Sequence, residues 1–190
     1  MTKKEWPTCQ GPLKMLAHLK GRASERKFRL FVAAGWGCRC AADKTIRRRV
    51  NRVVLWTEQM ADGAYKGKLD GGDWIQLGED AVDAATTTAR LITGTREACM
   101  IPRREQADLI RDIFGDPFRP VAVDPAWLTT DVLVLARGIY AEKAFDRMPI
   151  LADALQDAGC TNDDILNHCR DQSRVHVRGC WAVDLLLGLS

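Results

Sequence analysis

Residues 145–188 read FDRMPILADALQDAGCTNDDILNHCRDQSRVHVRGCWAVDLLLG, the most regular part of the chain, with two of its three histidines and three of its seven cysteines. The stretch predicts three helices. One covers 148–158 and is ended by Gly159. A second covers 161–170, opened by Thr161 with Asp164 at the third helical position. The last runs from about 177 to 187. With no convincing alternation of apolar and polar residues anywhere in the chain, the expected class is all-α, a single domain of about seven or eight helices.

Upstream, DPFRPVAVDPAWLT (116–129) holds three prolines and predicts an ordered, irregular loop around Phe118 and Trp127. Before it, REQADLIRDIFG is a helix with Leu109, Ile110, Ile113 and Phe114 apolar and Gly115 at its end. An alanine- and threonine-rich helix is expected over about 79–93, and another over 131–142. Residues 62–78, with five glycines, read as a flexible connection between a basic helical part (1–61) and a helical core part (79–190).

In the first sixty residues, Pro12 opens a short helix that Gly21 follows. Ser24 is placed to cap ERKFRLFVAAG, where Phe28, Phe31 and Val32 share a face. Gly35–Cys40 reads as a turn, and Asp43 as the cap of KTIRRRVNRVVLWTEQMADG. Ile46, Val50, Val53 and Thr57 line one side of that helix, with Arg48, Arg49 and Arg52 opposite. The C-terminal helices and residues 107–129 are expected to form the core, with the basic helices packed on it. Phe114, Phe118, Ile150, Leu155, Leu185 and Leu186 are expected inside, while Trp36 and Trp74 are candidates for exposed anchors.

Composition narrows the classes of function. Hydrophobic content of 46% and charged content of 28% suit a globular chain. No stretch has the apolar length that spans a bilayer, and no secretory signal is read at the N-terminus, so a cytoplasmic location is expected. Seven irregularly spaced cysteines then read mostly as small buried hydrophobes. Residues 1–60 carry 14 Lys/Arg against 4 Asp/Glu, a net +10, while the remainder is −7. A split this wide suggests a polyanion-binding N-terminal part, or two parts that dock on each other.

Several strings together resemble an uncharacterised family of short planctomycete bacterial proteins. They are ASERKFRLF (23–31), ADLIRDIFGDPFRPVAVDPAWLT (107–129), AFDRMPILADALQDAGC (144–160), ILNHC (165–169) and HVRGCWAVDLLLG (176–188). No activity is established for that family, so the resemblance implies relatives and no mechanism.

Two constellations carry candidate chemistry. The basic residues Arg22, Arg26, Lys27, Arg29, Arg47, Arg48, Arg49 and Arg52 could track phosphates across two helices. That makes a non-catalytic module contacting nucleic acid or an acidic protein the leading expectation. The alternative is a zinc-stabilised domain, or a metalloenzyme, using His168, Cys169, His176 and Cys180. On a last helix beginning near His176, that residue and Cys180 would stand one turn apart, the spacing by which one helix offers two ligands. His168 or Cys169 would add a third, and Cys38 or Cys40 a fourth. Signatures of common enzymes (a Walker loop, GxSxG, HExxH) are absent. Asp153, Asp157, Asp163 and Asp164 suit helix capping and solubility, and Cys38 beside Arg39 has no assignable base.

Overall fold

The computed structural model of the protein describes residues 1–37, 44–64, 81–94 and 101–189, with the side chains of 37, 44–50, 52, 53 and 90–94 excepted. Among the described residues the chain is all-helical, with nine α-helices, two single 3-10 turns and no strand. No described helix is long and apolar enough to cross a membrane. The chain divides into two compact units, residues 1–110 and 111–190. The division falls inside one helix, and most of the glycine-rich 62–78 lies outside the described residues.

The first unit contains α1 (Pro12–Leu19), α2 (Glu25–Gly37), α3 (Lys44–Ala61), α4 (Ala81–Gly94) and most of α5 (Arg103–Phe114). Here α2 packs on α3 and α4, and α1 on α4. The expected face of α2 is correct: Phe28, Phe31 and Val32 are buried, with Leu30 and Ala33. Small side chains at Ala81, Ala84, Ala85 and Ala89 line the buried side of α4. Two local expectations change. Helix α2 continues through Gly35 to Gly37, where a turn was expected, because tertiary packing overrides the low helix propensity of two glycines. Trp36 is accordingly half-buried on that helix and not an exposed anchor. Ser24 precedes α2 and its carbonyl accepts from Lys27 and Phe28, yet its hydroxyl makes no cap hydrogen bond. Asp43, Trp74 and the side chains of Ile46, Val50 and Val53 lie outside the described residues.

The second unit holds the end of α5, the irregular 116–129 segment, α6 (Thr130–Glu142), α7 (Met148–Asp157), α8 (Asp163–Arg170) and α9 (Trp181–Leu187). Gly115, at φ +69, ends α5 in the left-handed region that glycine tolerates. Asp116 then accepts from the Phe118 N–H, and Asp124 from Ala126, opening the 3-10 turn Pro125–Trp127. Thr129 caps α6 by accepting from Val132. Helix α6 packs on α7 and α9, and α7 on α8. Met148, Leu151, Ala152 and Leu155 form the inner stripe of α7, meeting Val132, Ala136 and Ile139 of α6 and Ile165 of α8 in one core. Each large aliphatic side chain fully buried there contributes about 1.5–3 kcal/mol. Ile150, expected inside, is exposed because it falls off that stripe.

Helix α8 begins one residue later than expected. Its N-cap is Asn162, whose Oδ1 accepts from the N–H groups of Asp164 and Ile165, so Thr161 lies outside the helix. Replacing a side-chain cap by alanine costs about 1 kcal/mol. Asn162→Ala should lower stability by that amount in urea denaturation, whereas Thr161→Ala, which loses no cap bond, should be close to neutral.

Candidate metal centre

Four polar side chains meet in the second unit: Asp112 from α5, His168 from α8, His176 from the 171–180 loop, and Cys180 immediately before α9. Their ligand atoms all lie within 4.8 Å of one another, and among the described residues one such group is found. The side chains are dry, with relative exposures of 3% for Asp112, 4% for His168 and 5% for His176, and Cys180 is fully buried.

Each is delivered by an identifiable local structure. Asp112 belongs to the last turn of α5, on the same side as Leu109 and Ile113. His168 and Cys169 sit near the end of α8, which is held to α7 by Arg170 reaching Asp153 at 3.3 Å and Gln156. After α8, Asp171 accepts from the Ser173 N–H at 3.1 Å and from Arg174 Nε at 2.7 Å. The Ser173 hydroxyl and Arg174 hold the Asp171 carboxyl down at about 2, so this turn is charged and closed at neutral pH. The chain then passes His176 and turns tightly, with Cys180 N–H donating to the Val177 carbonyl at 2.9 Å and Gly179 at φ +95. Arg178, in the same turn, stacks over Tyr140 of α6 with 4.5 Å to the ring centroid.

Helix α9 therefore starts at Trp181, four residues after its expected beginning, and His176 and Cys180 are not one turn apart on a helix. The loop and its turn bring them to one point instead, with Cys180 Sγ 3.9 Å from His176 Nδ1. Cys169 is buried in the apolar core, and its ligand atom is not in the group. Burial pushes its thiol up to about 12. Asp112, not expected from the sequence, takes its place. Cys38 and Cys40 lie outside the described residues.

The direction of the polar atoms is the informative feature. His168 Nε2 lies 3.1 Å from Cys180 Sγ and 3.4 Å from Asp112 Oδ1. His176 Nδ1 lies 2.7 Å from the same Asp112 oxygen. The other carboxylate oxygen, Oδ2, accepts from the Val177 N–H at 2.9 Å, which leaves Oδ1 facing the histidines. A cysteine–histidine–aspartate relay places thiol and carboxylate on opposite nitrogens of one imidazole. Here both address a single nitrogen, which has one hydrogen or one lone pair to offer. This convergent arrangement can hold a cation and is a poor relay.

Electrostatics agree. Burial drives Cys180 well above the ordinary thiol value, and the Asp112 charge adds to this; the nearby N–H groups of Ala182 and Val183 oppose it. An uncoordinated Cys180 is thus a protonated thiol without solvent access, unsuited to nucleophilic work. Burial also lowers His168, which the Asp112 carboxylate offsets only in part, so its imidazole is neutral at pH 7. For Asp112, burial alone would raise the carboxyl, but hydrogen bonds from His168 and His176 more than reverse this and keep it ionised.

The described basic residues of the first unit are differently placed. Arg26 pairs with Asp62 at 3.2 Å and is largely covered, Arg29 lies 3.5 Å from Glu25, and Arg22 reaches His18 Nε2 at 3.3 Å on the surface. Lys27 is half-buried. Arg47, Arg48, Arg49 and Arg52 lie on α3, with side chains outside those described.

The histidine shift fixes the sign of a pH effect. The folded pKa of His168 lies below 6.5, so on acidification the unfolded chain takes up a proton that the folded chain refuses. With chelator present, stability should fall as pH drops below about 6.5, and further below 3.8 as the stabilising charge of Asp112 is lost. Urea denaturation between pH 7.5 and pH 5 checks this, with a shallower slope expected for His168→Gln. No family model matches this sequence, no curated protein matches it and no solved structure matches its fold, so the chemistry of these four side chains is what speaks for function.

Proposed function

We propose that residues 111–190 form a metal-stabilised helical module, with Zn²⁺ held by Asp112, His168, His176 and Cys180 in a structural role. The observation that carries this reading is the convergence of one carboxylate oxygen, two imidazole nitrogens and one thiol sulfur on a common buried point. Tetrahedral zinc, with bonds of about 2.0–2.3 Å, needs ligand atoms about 3.3–3.8 Å apart. Four of the six separations, 2.7, 3.1, 3.4 and 3.9 Å, bracket that range, and all six lie within 4.8 Å. Mixed nitrogen, sulfur and oxygen donors suit zinc and exclude the all-oxygen preference of Ca²⁺ and Mg²⁺.

Charge supports the same assignment. A dication displaces the thiol proton, and thiolate plus carboxylate then balance the metal at zero net charge in a dry site. Four protein ligands leave no open position for water or substrate, which is the pattern of structural and not catalytic zinc. On this reading the unit is a binding or accessory module rather than a metalloenzyme.

A second reading concerns the first unit and rests on its charge. With +10 over residues 1–60 and Arg22 exposed in the turn before α2, the basic N-terminal part suits nucleic acid or an acidic protein. Labelled mixed-sequence DNA and RNA should bind at about 50 mM salt and lose roughly a hundredfold in affinity by about 200 mM if some four phosphates are neutralised. Replacing Arg48, Arg49 and Arg52 with alanine should abolish binding without unfolding the chain. No binding at low salt removes this reading.

For the metal, purified protein should carry one equivalent of zinc, and chelation should lower its melting temperature reversibly. Cobalt(II) substitution should give a tetrahedral visible spectrum with a thiolate charge-transfer band. Cys180→Ala should lose that band and His176→Ala should lose stoichiometric binding, while Cys169→Ala should retain both. Retention of the full spectrum by Cys180→Ala would contradict the ligand assignment.

A further inference from the structure

We propose that Trp181 is the gate of the metal centre, seated against His168 on one side and in the glycine notch at the end of α5 on the other, and that it sets how slowly the metal leaves. This rests on the metal reading above. Trp181 is the first residue of α9, directly after the ligand Cys180. Its ring centroid lies 4.9 Å from that of His168, tilted by 50°. On the other side stands Gly115, three residues beyond the ligand Asp112. A Cβ built there would lie 3.2 Å from Trp181 Cγ and 3.4 Å from Cδ2. Glycine at this position thus does two things. Its φ of +69 ends α5, and its missing side chain admits the indole.

The indole consequently touches the ring of His168 and the turn after Asp112, and its own residue directly follows Cys180. It is only partly buried and packs against the apolar core of the unit. A cation leaving a site with no open position needs one ligand to swing away and water to enter. Swinging His168 disturbs its contact with the indole, and on this proposal the entering water comes past the indole. Outer groups of this kind orient ligands and control solvent access without donating to the metal.

The experiment loads full-length protein with zinc and follows its transfer to an excess of a chromophoric chelator, with cobalt spectra recorded on the same variants. Trp181→Leu should bind one equivalent with an unchanged cobalt spectrum but release it at least about tenfold faster. Trp181→Phe, which keeps a ring against His168, should stay close to wild type. Gly115→Ala, which pushes the indole out of its notch, should resemble Trp181→Leu. Val183→Ala is the control, because Val183 is buried in the same core on α9 and its truncation weakens packing without uncovering the ligands.

Wild-type release from Trp181→Leu overturns the gate and leaves the metal reading intact. Equal acceleration in Val183→Ala also overturns it, since release would then follow general stability. A wild-type protein that takes up no zinc defeats both.

Discussion

A buried carboxylate is expensive, and the way Asp112 is satisfied sets the terms on which residues 111–190 fold. Transfer of such a group out of water costs several kcal/mol unless hydrogen bonds and opposite charge replace its hydration. Asp112 gets them from far along the chain. Val177 N–H takes one oxygen and His176 the other, with His168 at the edge of bonding distance to the same atom. The last turn of α5 is therefore joined to a loop more than sixty residues later. The loop has few other means of definition: outside the Asp171 turn and the Val177–Cys180 turn it has no regular structure, and Val175 is exposed.

The same geometry suits some of the chemistries this set of residues could serve better than others. Cysteine, histidine and aspartate together suggest a nucleophile with its base and orienter. That machinery needs an accessible sulfur, a lowered thiol pKa and an imidazole with its two nitrogens divided between partners. In this fold the sulfur is enclosed, burial raises its pKa, and sulfur and carboxylate compete for one nitrogen of His168. Each departure that spoils the relay improves a closed ligand set. Enclosure limits exchange, a shared focus defines a coordination point, and two acidic groups supply the charge that a dication requires.

Most helices were legible in the sequence, because glycines and prolines mark their limits: Pro12, Gly115 and Gly159 bound elements where expected. The failures were local. Cap choice between Thr161 and Asn162 depends on which backbone dihedrals the preceding turn leaves available. Gly35 and Gly37 remain helical through contacts that their own propensities oppose. Three residues of the centre were legible as rare, chemically soft side chains near one another, though what brings His176 and Cys180 together is a turn and not a helix. Cys169 stays out of the group because adjacent residues on a helix point about 100° apart, so His168 and Cys169 cannot face one centre equally. Asp112 was not recognised. Its signal is an acidic residue three positions after Leu109 and next to Ile113, both of them buried. In a chain rich in aspartate, only the fold separates that one from the solvated rest.

The size of the unit gives the proposed cation its thermodynamic place. Residues 111–190 make an 80-residue unit, and units of that size gain only modest stability from apolar burial alone. Much of the core is small, with Ala136, Ala152, Ala182, Cys160 and Cys169 among its fully or nearly fully buried members. Without a cation, the centre adds a desolvated carboxylate and two imidazoles whose hydrogen bonds converge on too few partners, and apolar residues of similar volume would hold the unit together at least as well. With a cation, the same groups become a cross-link between α5, α8 and the loop before α9. Zinc contributes on the order of 10–16 kcal/mol in small domains folded around it. The conjunction of a modest core with a costly buried polar focus would be a burden without a cation and a staple with one, and this contrast is the thermodynamic case for the proposed metal.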